Sequence, residues 1–171
     1  DQRSLENSRK AVEVYKKAIQ MSSEGRDEEA IGLANKALAL DPVFPQAHVL
    51  KAKIYLRNGD ETAAEDCYTK AIDAAPNEQK SIYYFARARF RHNRKKYTEA
   101  LADYNHAAEL AKNYPAANPY FLDIFLHRAL LYEDTGQKAL ALKEYRAILA
   151  LNPDENTRRQ VNDRIWKLER E

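Results

Sequence analysis

Four histidines, His48, His92, His106 and His127, are the side chains best suited to metal ligation or proton transfer near neutral pH. They occur singly. None belongs to an H-E-x-x-H pair or to a Cys/His cluster, the spacings that bring several ligands to one point. The adjacent carboxylates Glu28-Glu29 and Glu133-Asp134 read as solvated helix faces, since neighbours in a helix diverge instead of converging on a substrate. Gly25, Gly32, Gly59 and Gly136 are isolated, so no glycine-rich loop is available to cradle a phosphate. No catalytic residue, metal ligand or cofactor site is therefore expected.

The densest charge is the run RARFRHNRKK from Arg87 to Lys96. It could hold RNA or an acidic partner, with Phe90 or Tyr97 as a stacking group. Helical spacing, however, spreads Arg87, Arg89 and Arg91 around the axis, and basic residues near a helix C-terminus also complement its dipole. The formal net charge is only +2, too small to argue for nucleic acid by itself. Nucleic acid is not the expected partner.

These residues must be positioned by helices. Hydrophobic residues make up 44% of the chain and charged ones 32%, with 4 Gly and 6 Pro among 171 residues, and β-branched runs are absent. That length can bury a substantial core. No apolar run approaches the roughly 18 residues of a membrane span, and nothing resembles a signal peptide. Cytoplasmic residence is favoured, with an exported or membrane-tethered form if a leader or anchor precedes Asp1. The single cysteine, Cys67, excludes an internal disulfide without deciding the compartment.

The stretch Pro45 to Glu78 reads as a helix ending near Arg57, a turn at Asn58-Gly59-Asp60, a helix from about Thr62 and a stop at Pro76. Ala52, Tyr55, Gly59, Ala64, Tyr68, Ala71 and Pro76 mark small, large and turn positions in fixed order. The same order starts at Ala11, 34 residues earlier, except that Ala34 stands where the others place tyrosine. A third copy, anchored on Tyr97, Ala100, Tyr104 and Ala107, starts near Ser81, after the extra residues Gln79-Lys80. Its turn, Asn93 to Lys96, lacks the glycine of the others, and a proline-bounded loop, Asn113 to Pro119, follows it. Asn118-Pro119 is expected to supply the N-cap and first residue of the next helix. The fourth copy starts near Leu122 and carries Phe125, Ala129, Tyr132, Gly136, Ala141, Tyr145, Ile148 and Pro153.

This pattern resembles the tetratricopeptide repeat, a helix-turn-helix unit of 34 residues. The resemblance implies an all-α, right-handed solenoid. Residues 1–10 form an extension or the start of the first helix, with Ser4 as a candidate cap, and 11–155 hold repeats at about 11–44, 45–78, 81–114 and 122–155. Residues 156–171 form a capping helix with Val161, Ile165 and Leu168 on its apolar face. A basic residue precedes each first-helix alanine: Lys17, Lys51, Arg87 and Arg128. The preferred reading is that their stems lie over the core with the charges at the surface, the alternative being a basic ladder.

Function follows from the same resemblance. Family members commonly dock peptides or helices in a concave groove lined by the first helices. In this register the groove receives Tyr15, Ile19, Val49, Leu50, Lys53, Leu56, Arg57, Phe85, Arg89, His92, Leu126, His127 and Leu130. So apolar a surface implies an interaction site. The expected partner is a protein or peptide with apolar anchors and an acidic segment facing Arg57 and Arg89. Coverage by the chain's own terminus, or by a second copy in a homo-oligomer, stays open. Relatives that grip the acidic C-terminus of heat-shock chaperones use a Lys/Asn/Asn/Lys/Arg clamp. Tyr15, Ile19, Leu50, Ile82 and Ala86 stand in those places, so that role is not expected. The implied function is a non-enzymatic scaffold or adaptor in complex assembly. The alternative is a targeting or substrate-recruiting module of a larger, enzymatic protein.

Overall fold

The computed structural model describes residues 2–114 and 119–171. Among these the chain is all-α, and its contacts divide it into two units, Asp1–Asn77 and Glu78–Glu171. In the first unit α1 (Gln2–Ser23) folds back on α2 (Asp27–Leu40), and α3 (Pro45–Arg57) on α4 (Glu61–Ala74). A single 3-10 turn, Asn77–Gln79, leads on. In the second unit α5 (Lys80–Asn93) pairs with α6 (Tyr97–Asn113), and α7 (Phe121–Asp134) with α8 (Lys138–Ala150). A last helix, α9 (Glu155–Arg170), packs on α8.

The alanines explain the pairing. Ala18 and Ala30, Ala52 and Ala64, Ala88 and Ala100, and Ala129 and Ala141 are all fully buried, as close helix crossings require. Between them Tyr104 and Tyr145 are also fully buried, and their rings supply much of the apolar volume of the second unit. α9 covers the far side of that core with Val161 and Leu168. Its N-terminus is capped by Asp154, whose carboxylate accepts from the Thr157 amide at 3.0 Å and hydroxyl at 2.6 Å. Trp166 stays 61% exposed, with the Arg170 guanidinium 3.9 Å from its ring centroid.

The turns inside the four helix pairs all close in the same way. The amide of Arg26 reaches back to the Met21 carbonyl and that of Gly25 to Ser22, and the same two bonds recur at Asp60 and Gly59, at Lys96 and Lys95, and at Gln137 and Gly136. This is the Schellman pattern, which needs one residue in the left-handed region. Gly25, Gly59 and Gly136 supply it at φ of 76°, 80° and 71°, whereas Lys95 adopts a φ of 58°. The glycine missing from the third turn therefore changes the cost of the turn but not its geometry.

Three expectations are corrected. α1 begins at Gln2, so Ser4 lies inside the helix and does not cap it. α7 begins at Phe121 with Tyr120 as N-cap, two residues beyond Pro119, while Asn118 and the middle of the Asn113–Pro119 loop fall outside the described residues. The third correction concerns Arg87 and Arg128, whose charges are not at the surface. Arg87 grips Asp103 with two bonds of 2.9 and 2.8 Å, and Arg91 adds a third at 3.0 Å. Arg128 grips Glu144 at 3.0 and 2.7 Å. In each case the carboxylate lies 16 residues on, across the turn, where the partner helix faces the arginine. The same step from Lys17 and Lys51 reaches Leu33 and Cys67, which offer no carboxylate.

Candidate functional site: a mixed cleft in the second unit

The expected groove residues divide between the two units. In the first, α1 presents Leu5, Val12 and Ile19 as an exposed stripe spaced by seven residues. Tyr15 meets Phe44 edge-on with centroids 4.8 Å apart, and burial pushes its phenol up. Val49, Leu50 and Leu56 on α3 are half-buried, and Lys53 is exposed. Arg57 is already engaged: it pairs with Asp27 and donates to the Ser22 carbonyl at 3.2 Å. It braces the α1–α2 turn, and that pairing holds the Asp27 carboxyl below its usual range.

The second unit holds an open cleft of about 480 Å³. α5 contributes Arg89, His92 and Asn93, the following turn Lys95, and α6 Tyr97 and Tyr104. α7 adds His127, Leu130 and Asp134, and α9 adds Arg164. Four expected site residues, Arg89, His92, His127 and Leu130, are thus brought together. Phe85 is not on the surface: it is 4% exposed and belongs to the core beneath, with its ring 5.2 Å from that of His127 and 5.7 Å from the Arg89 guanidinium. Leu126 packs beside the α8–α9 core and is not among the lining residues.

The acidic wall is fixed by hydrogen bonds. The Asp134 carboxylate accepts from His92 Nε2 at 2.8 Å, so in the neutral ring Nδ1 carries the lone pair that receives the Tyr104 hydroxyl, 3.1 Å away. This Tyr–His–Asp chain has the outline of a proton relay. Burial, however, pushes the fully buried Tyr104 phenol up, so it is no nucleophile at neutral pH. Beside it Glu133 accepts from the Tyr145 hydroxyl and, at 3.1 Å, from Arg164. Burial first and that carboxylate second raise the Tyr145 phenol. The trio ties α7 to α8 and α9.

The basic wall is less committed. Neither Arg89 nor Lys95 has a carboxylate partner among the described residues. His127 donates Nδ1–H to the Asp123 carbonyl at 2.8 Å, leaving the Nε2 lone pair without a partner among the described residues. Burial lowers its pKa below the usual 6.5, with the Arg89 charge adding to the effect and the Asp123 carbonyl opposing it.

Tyr104 and Arg164 were not expected at a site, and Lys95 only as part of the basic run. Lys95 lies in the basic run, which the fold divides: Arg87 and Arg91 turn to Asp103, while Arg89, His92 and Lys95 line the cleft. Arg164 gave no local signal, since the cleft lies across a helix packing that brings it 31 residues back to Glu133. Elsewhere, burial raises the buried Cys67 thiol. Among the described residues no group of three His, Cys, Asp or Glu is placed to hold a metal ion. No described helix is long and apolar enough to cross a membrane.

Comparison with known proteins gives two family matches. Residues 23–107 match the family of the anaphase-promoting complex, cyclosome, subunit 3, and residues 122–155 match the tetratricopeptide repeat. Among solved structures, the chain is similar to pilF of Pseudomonas aeruginosa, with a TM-score of 0.75 at 19% identity over 96% of this chain and 71% of that one. MamA is similar over 82% of this chain and 77% of its own, with a TM-score of 0.64 at 18% identity. At such identities the likeness shows the fold alone. The first repeat domain of Spaghetti (RPAP3), solved with the HSP90 peptide SRMEEVD, is 27% identical over 68% of this chain and 91% of its own, with a TM-score of 0.51.

Proposed function

The chain belongs to the tetratricopeptide repeat family, whose members generally serve protein–protein interaction, and from this premise we propose that it is a non-enzymatic adaptor recognising one segment of a partner protein. The reading rests on a single observation: one open cleft combines an aliphatic wall at Leu130 with the uncommitted cations Arg89 and Lys95. Cations around a concavity concentrate anions there and favour a partner of complementary charge. The partner segment therefore carries aliphatic anchors and acidic side chains. Its acidic part faces Arg89 and Lys95 in place of the Arg57 expected from the register, because Arg57 already serves Asp27. Phe85 contributes as the floor beneath the cleft, holding Arg89 and His127 in place.

Selection of displayed 15-residue peptides against the protein tests this. Enriched sequences should pair Leu, Ile or Phe with Asp or Glu, and should lose at least tenfold in affinity for an Arg89→Glu, Leu130→Ala variant. Peptides that bind this variant as tightly as the native protein would refute the assignment. Leu130 is the better probe than Phe85, whose truncation would hollow the core.

A further inference from the structure

We propose that the cleft is a proton-gated anion subsite: His127 repels the partner's carboxylate at neutral pH and grips it in mildly acidic solution. The inference deepens the reading above and rests on it for the identity of the partner. Its basis is the fixed orientation of one ring. A backbone carbonyl only accepts hydrogen bonds, so the 2.8 Å contact between His127 Nδ1 and the Asp123 carbonyl requires the proton on Nδ1. Nε2 then meets any ligand as a bare lone pair. A carboxylate, itself an acceptor, has nothing to receive from it and is repelled.

Protonation at Nε2 reverses this without moving the ring. Nδ1–H keeps the Asp123 carbonyl, while Nε2 becomes a charged donor near Arg89, in the cleft that Lys95 also lines. The neighbours set when this happens. α5 brings the Phe85 ring edge, the Arg89 charge and His92, α6 brings Tyr104, and α9 brings Arg164. α7 itself supplies Asp123 and Asp134. Burial and the Arg89 charge both disfavour the charged form of His127, while Asp123 acts the other way. A bound carboxylate screens Arg89 and adds a negative charge within reach of Nε2, so occupancy and protonation favour each other. His92 does not take this part, because both of its nitrogens are already bonded within the protein.

Linkage of one proton to one carboxylate limits the gain to about tenfold in affinity per pH unit. The test uses glutarate, a dicarboxylate without apolar anchors, titrated into the full chain at pH 7.5 and 5.5 against sodium chloride at equal ionic strength. Histidine Cε1–H resonances are followed by NMR. Glutarate should shift His127 saturably, raise its titration midpoint and bind about tenfold or more tightly at the lower pH. Arg89→Gln should weaken binding at both pH values. His127→Asn, which retains an amide N–H for the Asp123 carbonyl, should bind at pH 5.5 no better than the native protein does at 7.5. Equal affinity at both pH values, shifts that never saturate, or a pH dependence that survives His127→Asn would overturn the proposal. The selected peptides separate the two readings. If they bind through Leu130 while glutarate does not bind, the anion subsite fails and the groove stands. If glutarate binds as described and no peptide competes with it, the subsite stands and the peptide groove fails.

Discussion

Replacing Asp103 with asparagine probes the internal charge arrangement of the second unit. Asp103 is only 3% exposed at its side chain and accepts three bonds, two from Arg87 and one from Arg91, whose side chains are 15% and 18% exposed. Asparagine keeps the volume and one acceptor but removes the charge, and its amide nitrogen turns a donor toward a donor. Bonds to charged groups each contribute about 1.5–3 kcal/mol and do not add independently, while breaking a buried ion pair from one side costs about 3–5 kcal/mol. The expected loss is thus about 3 kcal/mol, a large share of the roughly 5–15 kcal/mol that holds a domain folded. Urea unfolding followed by circular dichroism should show a lowered midpoint with an unchanged slope. A companion variant, Arg87→Met, Asp103→Leu and Arg91→Met together, should recover most of the loss, because it removes the charges along with their desolvation. A loss below about 1 kcal/mol for Asp103→Asn would refute the reasoning, by showing that water reaches the cluster and screens it.

Further outcomes follow from the turns, the crossings and the histidines. Lys95→Gly should stabilise the protein by about 0.5–1 kcal/mol in the same assay, since the left-handed conformation costs a lysine more than a glycine. It should also weaken glutarate binding, through loss of a cation from the cleft. Ala100→Leu or Ala64→Leu should lower stability by about 1–3 kcal/mol by forcing apart a fully buried crossing, and thermal melts matching the native protein would contradict the helix register. Burial lowers the pKa of both His48 and His127 below 6.5, so the unfolded chain takes up protons first as pH falls. Stability should decline from pH 6.5 downward through their lowered values, and His48→Asn with His127→Asn should flatten that stretch of the curve.

The repeats were legible because they depend on local periodicity. A helix that crosses another closely needs alanine at the crossing whatever lies elsewhere, and a Schellman turn needs a left-handed residue, so both leave a mark every few residues. The third turn shows how far such a rule reaches: its missing glycine was visible, and its geometry proved unchanged because Lys95 tolerates the strain. The site was legible only in part. Arg89, His92, His127 and Leu130 were expected together through the register that the repeat resemblance implies for the first helices, and α5 and α7 bring them to one cleft. Phe85 was read as surface because the register could not show the rings of Tyr104, Tyr120 and His127 gathering around it.

Sequence alone therefore determined which segments are helices, how they pair, and that no recognised catalytic or metal-binding motif interrupts them. Tertiary structure decided which charges are spent and which remain available. Arg87 and Arg89 look alike as residues, yet Asp103 holds the first while the second lines a cleft with no carboxylate partner among the described residues, and Asp27 and Glu133 hold Arg57 and Arg164. The reason is range. Helix formation and pairing are governed by neighbours three to seven residues apart, which a sequence displays directly. The fate of a charge is governed by whichever group the fold sets within about 3 Å of it, and for Arg57, Arg87 and Arg164 that group lies 30, 16 and 31 residues away.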